Sequence, residues 1–220
     1  MARSKSTVTI DGRLIGEAAA PYIVAELSGN HKGCLEHALA LMEAAAACGV
    51  DAIKIQTYRA DTITIDHDGP EFRIEGGLWK GRTLYDLYEE AHTPWEWHKA
   101  LFEKAKSIGI TLFSSPFDAA AIDLLEELGC PAYKIASYEM VDVNLIRRAA
   151  ATGKPLIIST GLANFSEIEE ALAAALEGKG GVALLYCISG YPTPPEEANL
   201  RTMVDMAERF DVPLGLSDHT

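Results

Sequence analysis

The chain has 220 residues, 48% hydrophobic and 23% charged, an ordinary globular composition. Its 19 basic and 32 acidic side chains leave a net charge of −13, a field that argues against nucleic-acid and membrane-surface partners. No apolar run approaches the ~18 residues of a membrane span. The opening MARSKSTVTIDGR lacks the apolar core of a signal peptide, and Cys34, Cys48, Cys130 and Cys187 are scattered without a C-x-x-C pair, so a cytoplasmic, reducing setting is expected.

Residues 6–17, STVTIDGRLIGE, predict a β-hairpin turning at Asp11-Gly12, within an N-terminal extension spanning 1–17 that would plug the bottom of a barrel or pack beside it. From residue 18 to 220 one pattern repeats: a short aliphatic run, a polar stop, a segment of helical period, then Gly or Pro. The strand-like runs are 22–27, 52–58, 111–117, 132–137, 155–160, 182–189 and 212–217. Helical stretches lie at 35–49, 94–109, 120–129, 144–153, 165–178 and 200–210. Thr93-Pro94-Trp95-Glu96 reads as a capping box opening the second of them. Residues 59–92 interrupt the repeat as a long excursion rich in aromatics and charges, expected to be a lid.

Apolar strands alternating with helices imply an α/β fold with a parallel sheet covered by helices. An open doubly wound sheet and a TIM (β/α)8-type barrel both satisfy this. Strands recur at a regular spacing of about 20 to 30 residues and most end in polar residues, as a barrel that builds its site at the C-terminal strand ends requires. No G-x-G-x-x-G loop is present to support the open sheet. With seven strands in view, the expectation is an incomplete barrel.

The strand ends offer Glu26; Lys54 and Gln56; Ser114 and Ser115; Lys134, Ser137 and Glu139; Ser159 and Thr160; Ser189 and Tyr191; Ser217, Asp218 and His219. A lysine inside an apolar strand is costly to bury without an anionic partner. Lys54 and Lys134, ringed by hydroxyls, suit a phosphate and a carboxylate; the alternative is a structural pairing with Glu26 or Glu139. His219 suits a metal, but the residues supply no second histidine at a strand end, although His31 follows the first strand closely.

The segments AELSGNHKG, DAIKIQTY, FSSPFD, PAYKIASYE, KPLIISTG, CISGYPTPPEEANL and GLSDHT, in that order, resemble the sialic acid synthase family, which condenses phosphoenolpyruvate with an open-chain amino sugar. Within it, EFRIEGGLWKGRTLYDLYEEAHTPWEWH and the Ser-Gly-Tyr-Pro turn look most like its pseudaminic acid branch, whose sugar is 2,4-diacetamido-2,4,6-trideoxy-altrose. An N-acetylneuraminate or legionaminic acid synthase, using an N-acetylmannosamine-type sugar, is the alternative; Ser189 stands where N-acetylneuraminate synthases typically have Asn.

The resemblance implies a TIM barrel followed by an antifreeze-like domain that covers the active site of a homodimeric partner. It implies a phosphoenolpyruvate seat of Lys54, Ser115, Lys134, Ser137, Ser159, Ser189 and Ser217, with Gln56 and Tyr191 lining the pocket. Glu26 and Glu139 match acidic residues near the reacting atoms. His219 matches one of two histidine ligands of a divalent ion, usually Mn2+, with Mg2+ or Co2+ as alternatives. On the same comparison the chain is expected to stop before the eighth strand and the antifreeze-like domain, and to be inactive alone. Two rivals remain: a Schiff-base aldolase using Lys134, and a non-catalytic fragment that binds phosphorylated ligands.

Overall fold

The computed structural model describes residues 7–220. Residues 1–6 of the expected N-terminal extension, including the first residue of its hairpin segment, lie outside the described residues. The chain forms two compact units, Ile23–Cys130 and, jointly, 7–22 with Pro131–Thr220.

The unit Ile23–Cys130 alternates strand and helix: β3 (Val24–Glu26), α1 (Leu35–Ala47), β4 (Ala52–Thr57), α2 (Ala60–Ile63), α3 (Leu84–Ala91), α4 (His98–Ile108), β5 (Thr111–Pro116) and α5 (Ala119–Glu127). The strands pair in parallel and in chain order, with Glu26 opposite Lys54 and Gln56 opposite Ser115. Alternation along β4 sends Ile53 and Ile55 into a core with Met42, Leu101, Ala105 and Leu112, and leaves Lys54 and Gln56 on the other face. Burying each isoleucine contributes about 1.5–3 kcal/mol, so a one-residue slip of β4 is strongly disfavoured.

The Thr93–Glu96 capping box does not form. A 3-10 turn over Trp95–Trp97 precedes α4, Trp97 stands at the helix start without a capping side chain, and the buried Thr93 hydroxyl has no hydrogen-bond partner. The cause lies in Trp95, whose indole donates to Tyr58 O (3.2 Å) while its ring lies under Arg59, drawing this segment onto the end of β4. Side-chain caps do form on other helices: Thr83 accepts from Asp86 N at the start of α3, and Asp118 from Ala121 N at the start of α5. The 59–92 excursion is structured, with α2, α3 and a hairpin-like turn in which Ile74 exchanges backbone bonds with Gly81 and Arg82. Its C-terminal helix is held to the strand ends by edge-on contacts of Tyr88 with Tyr58 and of Tyr58 with Phe117.

The second unit begins with the hairpin β1 (Val8–Ile10) and β2 (Arg13–Ile15), paired antiparallel about Asp11 and Gly12, both at positive φ as the tight turn requires. It continues with β6 (Tyr133–Ile135), α6 (Val143–Ala150), β7 (Leu156–Ser159), α7 (Phe165–Ala175), β8 (Val182–Cys187), α8 (Thr202–Arg209) and β9 (Leu214–Ser217), the strands again parallel and in chain order. Val8 and Ile10 are buried, and a Cβ on Gly181 would lie 3.2 Å from Val8 Cγ2. The hairpin therefore packs where β8 begins, at the end of that strand remote from its C-terminus. Asn164 and Glu167 form a reciprocal capping box on α7.

All seven strand-like runs are strands, and the fold class is α/β with the chain-ordered parallel strands of a barrel-type architecture. Among the described residues no helix is long and apolar enough to cross a membrane.

Candidate active site

In the unit Ile23–Cys130, Lys54 and Glu26 form an ion pair across the β3–β4 register. Glu26 also accepts from Ser28 N at 3.0 Å, so Lys54 and Ser28 fix the carboxylate from two directions, while the backbone bond from Leu27 N to Lys54 O at 2.9 Å continues the strand pairing. The pairing left open from sequence as a structural alternative is thus present for Lys54. Ser115, opposite Gln56, is 1% exposed and its hydroxyl has no partner. An orphaned buried hydroxyl is uncommon enough to mark a ligand-facing position.

Ser114 does not join that face. Its hydroxyl meets Thr57 Oγ1 at 2.6 Å and Ile55 O at 3.2 Å, and Thr57 Oγ1 in turn lies 2.8 Å from His98 Nε2, all buried on the helix side of the strands. Sequence reading overlooked Thr57 and His98; the available signal was a threonine breaking the apolar row Ile53, Ile55, 57 where that row should continue. His31 is also buried here, accepting from Gly33 N through Nδ1 at 3.1 Å and packing edge-on against Trp97.

In the second unit, Lys134 is 8% exposed on β6, and its charge reaches Glu139. Burial pushes the Glu139 carboxyl up from its ordinary range, more than its backbone hydrogen bond and Lys134 pull it down, and Oε2 has no hydrogen-bond partner. Ser159, at the end of β7, is fully buried with an unpartnered hydroxyl. Ser137 Oγ accepts from Gly161 N at 3.2 Å. A Cβ on Gly161 would collide with Ser189 Oγ and lie 2.8 Å from Ser137 Oγ, so the absence of a side chain there is what lets both hydroxyls gather round one point.

His219 follows β9, on which Ser217 pairs with Cys187. Its Nδ1 lies 2.9 Å from Ile188 O, and because a carbonyl only accepts, Nδ1 carries the proton and Nε2 keeps its lone pair. Thr193 holds the same turn: its N–H donates to His219 O at 2.8 Å and its hydroxyl reaches Ile188 O and Gly190 O. The exposed Tyr191 ring stacks on the imidazole at 4.3 Å. Among the described residues no group of three His, Cys, Asp or Glu side chains gathers in a way that could hold a metal. His219 has the tautomer of a metal ligand and supplies one donor.

Each unit thus ends its parallel strands in a largely buried lysine, a carboxylate and a buried serine hydroxyl without a partner, Ser115 in one and Ser159 in the other. Residues 41–220 match the NeuB family. The pseudaminic acid synthase of Helicobacter pylori is 46% identical over 201 residues, covering 91% of this chain and 59% of that protein. That of Campylobacter jejuni serotype O:23/36 is 48% identical over 200 residues, covering 90% and 58%. The solved structure of the N-acetylneuraminic acid (sialic acid) synthetase of Leptospira borgpetersenii, in complex with citrate, matches with a TM-score of 0.88 at 29% identity, over 100% of this chain and 72% of that one. The chain spans 58–59% of the length of these two curated relatives. With residues 41–220 matched and nearly half the aligned positions identical, the chain belongs to the NeuB family.

Proposed function

We propose that this chain carries the synthase domain of a pseudaminic acid synthase, joining phosphoenolpyruvate to 2,4-diacetamido-2,4,6-trideoxy-altrose with water to give pseudaminic acid and phosphate. The observation that carries the reading is the 46–48% identity, over nine-tenths of the chain, to synthases of that name. The strand-end lysines and unpartnered hydroxyls support it, because they suit a small ligand bearing phosphate and carboxylate.

In this reading C3 of phosphoenolpyruvate attacks the sugar aldehyde, water adds at C2, and the C2–O bond to phosphate breaks. Lys54 and Lys134 offset the phosphate and carboxylate charge. Ser115, Ser137, Ser159, Ser189 and Ser217 supply hydroxyls, of which the buried, unpartnered Ser115 and Ser159 gain most from a ligand oxygen. Gln56 and Tyr191 line the pocket. Glu26, a carboxylate already paired with Lys54, suits the proton acceptor that guides water. Glu139, pushed up by burial, suits the complementary donor. A divalent ion, Mn2+ before Mg2+ or Co2+, would be held in part by His219 Nε2 and would supply Lewis-acid polarisation of the aldehyde. The proposal extends to a lid over 59–92 and a cytoplasmic setting, as read from the residues, and to the homodimer that the family resemblance implies, whose antifreeze-like domain is expected to lie outside this chain.

The test is phosphate release from phosphoenolpyruvate with Mn2+ by the whole protein, with this 220-residue chain run beside it and expected to be silent, offering the diacetamido sugar and N-acetylmannosamine separately. Release with the former alone is expected. Release with N-acetylmannosamine alone would reassign the chain to the neuraminate branch, and release with neither would overturn the reading.

A further inference from the structure

The buried face of α4 runs His98, Leu101, Ala105, and it packs on the row Ile53, Ile55, Thr57 of β4 and on Leu112 and Ser114 of β5. Four of these positions are isoleucine or leucine. The other polar three, Thr57, His98 and Ser114, are each fully buried, where apolar side chains of similar volume would avoid the desolvation cost.

The three are linked in one direction. His98 Nδ1 lies 3.2 Å from Pro94 O, so Nδ1 is the donor and Nε2 the acceptor. Thr57 therefore donates to His98 Nε2 (2.8 Å), and Ser114 donates to Thr57 (2.6 Å) in preference to the more distant Ile55 O (3.2 Å). Burial pushes the imidazole down from its ordinary range, which keeps it neutral and the chain in this direction. Each hydrogen is used, and the chain ties together the last residue of β4, the residue before Ser115 on β5, and the first residue of α4.

We infer that His98, through Thr57 and Ser114, is a positioning residue that sets the backbone from which Gln56 and Ser115 project on the opposite face of the same strands. Successive side chains point to opposite faces, so pinning Thr57 and Ser114 from behind fixes the peptide planes on either side of Gln56 and Ser115. Ser115 depends on this because its hydroxyl has no partner of its own. The inference rests on the proposed reading, in which Ser115 and Lys54 contact phosphoenolpyruvate.

The experiment measures phosphoenolpyruvate binding to the protein by calorimetry, with thermal unfolding and the KM for each substrate in parallel. Thr57→Val is expected to weaken binding about tenfold, raising the KM for phosphoenolpyruvate and not that for the sugar, a smaller loss than the ~100-fold that a full ~1 Å misplacement can cost. Thr57→Ser, which keeps the hydroxyl, is expected to stay within about twofold of wild type. Ser114→Ala removes the same link with a smaller change of volume and serves if Thr57→Val does not fold. Lower unfolding temperatures with unchanged binding in Thr57→Val or Ser114→Ala would overturn the positioning role. Unchanged binding in a Lys54→Met control would instead overturn the proposed seat itself.

Discussion

Lys54 and Glu26 meet across neighbouring parallel strands as an ion pair, with the lysine side chain 12% exposed and the glutamate 41%. The asymmetry means that the lysine is the more costly member to leave alone. Glu26→Gln keeps the shape and removes the charge. Because it leaves the largely buried Lys54 without its counter-charge, a destabilisation of about 1–3 kcal/mol is expected, less than for a fully buried pair because Glu26 is partly exposed. If Glu26 guides the attacking water, turnover falls by at least about 100-fold with phosphoenolpyruvate affinity little changed. Near-normal turnover in Glu26→Gln would remove Glu26 from the mechanism.

Glu139 carries a pH signature. Its folded carboxyl titrates above the ordinary value of 4.5, chiefly through burial, so between these two values the native state holds more protons than the unfolded chain. Stability therefore falls as pH rises from 4.5 through the folded value, and the penalty is complete above it. Glu139→Gln, which has no proton to lose, is expected to raise the unfolding temperature relative to wild type at neutral pH and to lose that advantage near pH 4. Thermal melts of both proteins across pH 4–8 check this. A difference independent of pH would mean that desolvation does not dominate at this carboxyl.

Gly161 tests the convergence of Ser137 and Ser189. A Cβ there would strike Ser189 Oγ and crowd Ser137 Oγ, so Gly161→Ala must displace one or both hydroxyls. A destabilisation of about 1–3 kcal/mol is expected from the overpacking, with a rise in the KM for phosphoenolpyruvate. Adding Ser189→Ala removes one obstruction, so the double variant is expected to be more stable than the sum of its parts predicts. Strict additivity in a double-mutant cycle would show that the two positions do not meet.

What the sequence revealed, and what it hid, follows from how each feature is encoded. The strands were legible because a sheet covered on both faces needs unbroken aliphatic runs such as Ile157-Ile158, and Lys54 and Lys134 stood out as charges inside such runs. Ser114-Ser115 was only half legible: the pair marks a polar strand end, but which hydroxyl faces forward depends on register, and the structure turns Ser114 to the back. The Thr57–His98 bond joins residues 41 apart, which local spacing cannot reveal. Gly161 hides for another reason, since its contribution is the volume it leaves to its neighbours. The Thr93 cap failed because Trp95, bonded to Tyr58 O, dictated the local path over a correct local motif.

His219 can be separated into its two nitrogens. Nδ1 donates to Ile188 O at 2.9 Å and holds the turn after β9 to the turn after β8, a structural role; Nε2 is the atom proposed to hold a divalent ion. His219→Asn places an amide donor near the Nδ1 position while removing the Nε2 lone pair. If the hydrogen bond survives, stability changes by less than about 1 kcal/mol, because a lost buried bond of this kind costs on that order. Mn2+ affinity, measured by titration without substrate, is expected to fall more than about 100-fold, beyond the 10- to 100-fold typical of losing a residue that merely orients a ligand. His219→Ala, lacking both nitrogens, should lose stability and metal together. Equal Mn2+ affinity in wild type and His219→Asn would confine this histidine to its bond with Ile188.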